Sequence, residues 1–299
     1  MYNKEKVQFG CAPINWTNDD LPALGGELTY QQCLSEMALS RFKGSEIGTK
    51  YPKDPAILKK ALDLRELVIC NGWFSSFFTV GKYDETIEAF IKHRDFTYDM
   101  GARVIGVGEC GVTIHGQEET PLFSNAPKLS HKQYEDLARG LEELGRLAKE
   151  KGMSVAFHYH VGTGVQAFEE TKKIMDMTDP NLVHLLFDTG HAILAGDQPE
   201  EILKQYGHRV RHVHIKDVRS AVYERMKKEN LSFLQAVKEG IFTVPGDGDM
   251  VDWDSIFRIL GENNYEGWIV VEAEQDPAMA DPLEYAIKAR TFIRTKTGI

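Results

Sequence analysis

Residues 183–217, VHLLFDTGHAILAGDQPEEILKQYGHRVRHVHIKD, constrain the fold more than any other stretch of the chain. Two short apolar runs, Val183 to Phe187 and Val210 to Ile215, flank one amphipathic helix. Each run ends in residues that bind metals or move protons. Asp188 and His191 follow the first, and His212, His214, Lys216 and Asp217 close the second. A strand, a helix and a second strand, with chemistry at both strand C-termini, point to a parallel α/β protein whose site lies at one end of its sheet.

The same alternation runs through the whole sequence. Strands are expected at 8–14, 45–48, 67–70, 104–107, 154–157, 183–187, 210–215 and 268–271. Helices are expected at 30–41, 52–66, 84–100, 130–151, 166–177, between the two opening runs, at 219–240, 254–263 and 282–294. Asp84 is read as an N-cap, and Ser130 with Gln133 as a capping box. The aromatic stretch Trp73, Phe74, Phe77 and Phe78 reads as a loop, and VPGDGDMVDW as a glycine turn. The segment 111–129 is long for a connection, which suits a cover over substrate. Eight strand–helix pairs in 299 residues predict an α/β fold, a single (β/α)8 TIM barrel filling one domain over 1–299; such barrels typically run to roughly 250 residues.

A hydrophobic fraction of 42% allows a core of that size, and a formal charge of −10 argues against a sequence-independent nucleic-acid partner. Small neutral or cationic substrates fit better. Cys11, Cys33, Cys70 and Cys110 are widely spaced and form no C-x-x-C, so buried reduced thiols are expected. MYNKEKVQFG lacks a signal-peptide run, and no apolar stretch suits a membrane span, so the sequence predicts a soluble cytoplasmic protein without a membrane partner.

In a barrel the C-terminal ends of the strands converge. Those ends carry Asn15 and Trp16, Glu46, Asn71, Glu109, His158 and His160, Asp188 and His191, His214 and Lys216, and Glu272 and Glu274. Imidazoles mixed with carboxylates suit a divalent transition metal such as Mn²⁺, Co²⁺ or Zn²⁺, since an oxygen-only site would not draw histidines. The competing reading makes each a separately bonded core or rim residue.

FDTGH, HVHIKD, GDGDMVDW and GWIVVEAEQD, in this order and spacing, resemble the xylose-isomerase-like TIM-barrel superfamily of sugar isomerases, epimerases and dehydratases. CAPINWTNDDLPALGGE, EMALSRFKGSEIGTKYP and CNGWFSSFF resemble, within it, the inosose dehydratase family of myo-inositol catabolism. The resemblance implies loss of water from 2-keto-myo-inositol, a polyol ketone, with Asp188, His214 and Glu272 as metal ligands. Many relatives carry Glu on strand 5. Here the sequence offers His158 and, two residues on and so on the same strand face, His160; His158 is favoured as the ligand, with His160 as a substrate group or a support behind the ligands, and Glu274, facing the same way as Glu272, is an alternative ligand or a base. Lys216 would support the enediolate, with His191, Glu109 and His160 as candidate acid and base. Asn15, Trp16, Trp73, His115 and Glu274 are the substrate-binding candidates. For the aromatics a pocket wall and ordinary packing stand equal. The resemblance also implies Mn²⁺ or Co²⁺, and a glutathione requirement for which the sequence offers no motif. A homo-oligomer is compatible with the sequence. The alternative function is a ketose epimerase or isomerase, which uses the same enediolate and returns the proton elsewhere.

Overall fold

The computed structural model describes residues 5–299, so the start of the N-terminal stretch judged for a signal peptide lies outside them. Nine strands pair in parallel: β1 (Val7–Cys11), β2 (Gly44–Glu46), β3 (Val68–Asn71), β4 (Trp73–Ser76), β5 (Val104–Glu109), β6 (Ser154–His158), β7 (Val183–Asp188), β8 (Val210–Ile215) and, after two short ribbon strands, β11 (Gly267–Val271). Their order is β3-β2-β1-β11-β8-β7-β6-β5-β4. The two ends of that series, β3 and β4, are one chain run interrupted only by Gly72. The barrel therefore has the eight runs expected, with the third changing partner half-way: β3 pairs with β2 and β4 with β5.

The helices α1 (Tyr30–Leu39), α2 (Pro55–Asp63), α3 (Tyr83–Asp99), α4 (His131–Glu150), α5 (Phe168–Asp176), α6 (Thr189–Leu194), α7 (Pro199–Tyr206), α10 (Trp253–Glu262) and α11 (Pro282–Thr297) intervene between or follow the strands. One apolar cluster runs from Val7 to Ile293 and joins the outer faces of the strands to the helices. Local chemistry sets several helix starts. Ser130 accepts from the Gln133 amide and the Gln133 side chain reaches back, as the capping box predicts. Gly152, at φ +67°, follows the end of α4. The four cysteines are free thiols, three buried and Cys110 half-buried. No helix among the described residues is long and apolar enough to cross a membrane.

Four local expectations are corrected. Trp73–Ser76 is strand, because its amides close the barrel against β5. Asp84 lies inside the first turn of α3 and caps nothing; Lys82 is the cap position. The helix after β7 is two helices, α6 and α7, broken at Gly196 with φ +88°. The stretch expected as one helix over 219–240 is also two, α8 (Ser220–Glu229) and α9 (Phe233–Lys238), broken at Asn230 in a left-handed conformation. Its apolar side, Met226, Phe233, Leu234 and Val237, is buried with Leu122, Val161 and Ile193 in a second cluster above the barrel. A two-stranded antiparallel ribbon, β9 (Asp217–Val218) with β10 (Phe242–Thr243), ties that excursion down.

Candidate metal centre and active site

Strand parity decides which side chains meet inside the barrel, because successive residues point to opposite faces. His158 and His160, Leu186 and Asp188, His212, His214 and Lys216, and Glu272 and Glu274 fall on the inward series. Asp188 serves two neighbours at once. Its Oδ1 caps α6 by accepting from the His191 amide at 2.9 Å. Its Oδ2 has no hydrogen-bond partner among the described residues, yet lies 3.4 Å from His158 Nε2, 3.4 Å from His214 Nδ1 and 3.3 Å from Lys216 Nζ. Glu272 Oε2 is 2.8 Å from His214 Nδ1, and Glu272 Oε1 meets Lys216. A buried carboxylate oxygen without a donor is costly. Here it faces imidazole nitrogens close enough to share one cation, and His158, Asp188 and His214 form such a group. The donor set, two imidazoles with two carboxylates, fits a divalent transition metal.

Beside that group lies an organic cation. Lys216 is fully buried, and although burial opposes its charge, Asp188, Glu272 and Glu274 hold the ammonium above its usual range. Its Nζ is 3.2 Å from His191 Nε2, 3.6 Å from Glu274 Oε1 and 4.7 Å from the centre of the Phe242 ring. A Cβ on residue 190 would come within 2.3 Å of the lysine stem, so the glycine of FDTGH makes room for it. His191 stacks on His160 with ring centres 3.8 Å apart. Burial first, then neighbouring positive charge, pushes His160 well below the ordinary imidazole range and keeps it neutral. Its Nδ1 lies 2.7 Å from the Val161 carbonyl. Burial and the Glu272 charge, working against Lys216, raise Glu274 to about 8. Phe233 packs on both His160 and His191, at 5.4 and 6.1 Å between ring centres. Above the group opens a cavity of about 320 Å³, lined among others by Trp73, His115, His158, His160, Glu272 and Glu274.

The model of the xylose isomerase-like TIM barrel family matches residues 42–296. The chain is 57% identical over 299 residues to an inosose dehydratase of Clostridium tetani, and 55% identical over 299 residues to inosose dehydratase 2 of Bacillus cereus, covering all of both proteins in each comparison. The chain belongs to the inosose dehydratase family. Solved structures share its fold at low identity. A probable 3-DHS dehydratase, AsbF, of Bacillus anthracis superposes with a TM-score of 0.72 at 14% identity, covering 97% of this chain and 99% of that one. The IOLI protein, solved with a zinc atom, gives 0.71 at 17% identity, covering 98% and 100%.

Within this inosose dehydratase family fold, the structure brings together His158, Asp188, His214 and Glu272, with Lys216, His191, His160 and Glu274 beside them. Trp73 and His115 reach the same cavity. Trp73 stands edge-on to His158 at 5.4 Å, and His115 lies 5.0 Å from His160. Three candidates are not brought there. Glu109 follows Gly108, whose added Cβ would touch the Trp73 ring, so Glu109 takes the outward side of β5. Its carboxylate accepts five hydrogen bonds, from the Ser76 and Thr79 hydroxyls and the amides of Phe78, Thr79 and Gly111. Trp16 is fully buried, its indole N–H donating to Glu36 at 2.5 Å. Asn15 accepts from the Ala273 amide at 2.8 Å and donates to Cys11. Asn15 thus braces the turn after β1 against the chain leaving β11, and Trp16 braces it against α1. Conversely, Glu46 and the loop acid Asp20 line the cavity and are not among the substrate, metal or catalytic residues that the sequence predicts. For Glu46 the strand-end position was the available signal; for Asp20 a place in an acidic loop was all the sequence offered.

Proposed function

We propose that this chain eliminates water from 2-keto-myo-inositol to give a trihydroxycyclohexane-dione, as a step of myo-inositol catabolism. As a family member it is a carbon–oxygen hydro-lyase acting on a small molecule. The geometric observation that carries the reading is Asp188 Oδ2, which makes no hydrogen bond among the described residues and is held between His158, His214 and the Lys216 ammonium. His158, Asp188, His214 and Glu272 are the proposed ligands of a divalent metal, which when bound acts as a Lewis acid on a ketone oxygen and acidifies the neighbouring C–H.

The remaining roles belong to the chain's own groups. His160, with Nδ1 engaged by the Val161 carbonyl, offers Nε2 to take the proton on the carbon next to the ketone. Lys216 supplies positive charge to the oxygen on which negative charge builds. The same His160 returns its proton to the β-hydroxyl as that C–O bond breaks. A C=C bond forms, one water departs, and the histidine ends neutral as it began. His191, stacked on His160 and hydrogen-bonded to Lys216, holds both in place. Glu274 and His115 are proposed to bind substrate hydroxyls, and Trp73 to pack on a C–H face of the ring. Phe233 excludes water from the imidazole pair.

Mn²⁺ or Co²⁺ is proposed as the metal and glutathione as an accessory cofactor, the latter on family resemblance. The proposed setting is cytoplasmic, and the exposed Leu39, Ile57 and Leu64 on and beside α1 and α2 support a proposed homo-oligomer. The decisive experiment incubates purified protein with 2-keto-myo-inositol and Mn²⁺ or Co²⁺, with and without chelator and glutathione, and follows the ultraviolet absorbance of the conjugated dione. Metal-dependent absorbance is expected. An isomeric ketone formed without any absorbance change would assign the site to epimerisation instead.

A further inference from the structure

The break in the third barrel strand runs directly into the proposed metal centre. Where β3 hands over to β4 at Gly72, the Asn71 side chain bridges the gap. Its Oδ1 accepts from the Gly106 amide at 2.7 Å, and its Nδ2 donates to Glu46 Oε1 at 2.8 Å. A Cβ on residue 106 would lie 3.1 Å from Asn71 Nδ2 and 2.9 Å from Leu186 Cδ1, so this crossing needs glycine. The same Glu46 oxygen accepts from His212 Nε2 at 2.8 Å and from His214 Nε2 at 2.9 Å. Three donors from two strands, Asn71 of β3 with His212 and His214 of β8, thus meet one buried carboxylate oxygen. An imidazole that gives its Nε2–H to a carboxylate presents Nδ1 on its far side. For His214 that far side holds Asp188 Oδ2 and Glu272 Oε2, and Nδ1 makes no hydrogen bond among the described residues.

We propose that Glu46, fixed by Asn71 across the β3–β4 break, is a positioning residue that sets the ring plane and tautomer of His214 for metal ligation. The inference rests on the reading of His158, Asp188, His214 and Glu272 as a metal centre. A carboxylate behind a ligating imidazole both orients the ring and raises its basicity, and losing such a partner typically weakens metal affinity by about 10–100-fold. His212 shares the acceptor but points its Nδ1 at no partner, so its contribution is to hold Glu46 rather than the metal.

The test is titration of the full-length protein with Co²⁺ in competition with a chelator, reading affinity and the visible absorption of bound Co²⁺. Glu46→Gln keeps the shape and removes the charge. It is expected to weaken Co²⁺ binding by about tenfold or more while thermal unfolding shifts little. Asn71→Ala gives a smaller loss in the same direction. In a His214→Ala background, Glu46→Gln should change affinity by less than about twofold, because an effect routed through one side chain disappears with it. Unchanged affinity in Glu46→Gln, or a full-sized loss that persists without His214, overturns the proposal. Glu46 would then act on substrate, visible as a raised KM, or through long-range charge. If Glu46→Gln does not accumulate as folded protein, Asn71→Ala with and without His214 provides the same pair of comparisons. A wild-type protein that takes up no Co²⁺ would instead overturn the metal centre itself, and this inference with it.

Discussion

The two halves of the barrel treat acidic strand ends in opposite ways. From β6 through β8 and β11, the inward series crowds imidazole, carboxylate and ammonium groups within a few ångströms of one another, and Asp188 Oδ2 and His214 Nδ1 have no hydrogen-bond partner among the described residues. From β1 through β5, the polar groups are satisfied. Glu109 is enclosed by five donors, Asn15 and Asn71 are spent on backbone amides, and Glu46 receives three N–H groups. Glu109 and Glu272 look alike in sequence, each at or just past the end of a strand. One is a finished structural node, and the other joins His214 and Lys216 in the cluster proposed to hold the metal. Being at a strand end is therefore insufficient; side-chain parity and the number of donors already engaged separate architecture from chemistry.

That contrast can be broken most sharply at Asp188. Asp188→Ala is expected to remove bound metal, measured by elemental analysis, and to lower turnover by about a thousandfold or more, the scale seen when a preorganised charge is lost from a dry site. It should also cost about 1 kcal/mol of stability through the lost helix cap, whereas Asp188→Asn should restore the cap without restoring turnover. Next in size, His160→Ala should cut kcat by about 10²–10⁴-fold with metal content unchanged, as expected for a proton-transfer group that is no ligand. Loss of metal in that variant would move His160 into the coordination shell. Glu109→Ala should invert the pattern. Orphaned donors of Ser76, Thr79 and Gly111 should lower unfolding stability in denaturant titration by about 2–4 kcal/mol, with kcat per folded molecule nearly unchanged. A large kcat loss with intact stability would return Glu109 to the active site. Smallest of all, Ser130→Ala should cost about 1 kcal/mol and leave both metal and turnover untouched.

Much of this architecture was legible before any coordinates. Alternating strand and helix patterns gave the eight runs, and the i, i+2 rule placed His158 with His160 and Glu272 with Glu274 on common faces, as the structure has them. Capping chemistry located α4. What escaped had identifiable causes. The handover at Gly72 is a tertiary event, since Trp73–Ser76 becomes strand only because β5 offers its edge. Gly196 and Asn230 break helices by a single left-handed residue that a charged, periodic pattern conceals. Phe233, Leu234 and Val237 hold the helical spacing of a buried stripe, which the charged residues at 224–229 conceal. Glu109 failed on parity alone, and counting back from the adjacent Gly106 and Gly108 would have turned it outward.

The two oxygens of Asp188 carry a consequence for the history of the site. One starts α6 and the other faces His158 and His214 of the proposed metal centre, so a chain cannot lose the carboxylate without disturbing both. Asparagine is the natural neutral replacement, able to begin the helix while silencing the reaction. A lineage that abandoned turnover could keep the barrel intact by that one exchange, and a return to activity would need only its reversal.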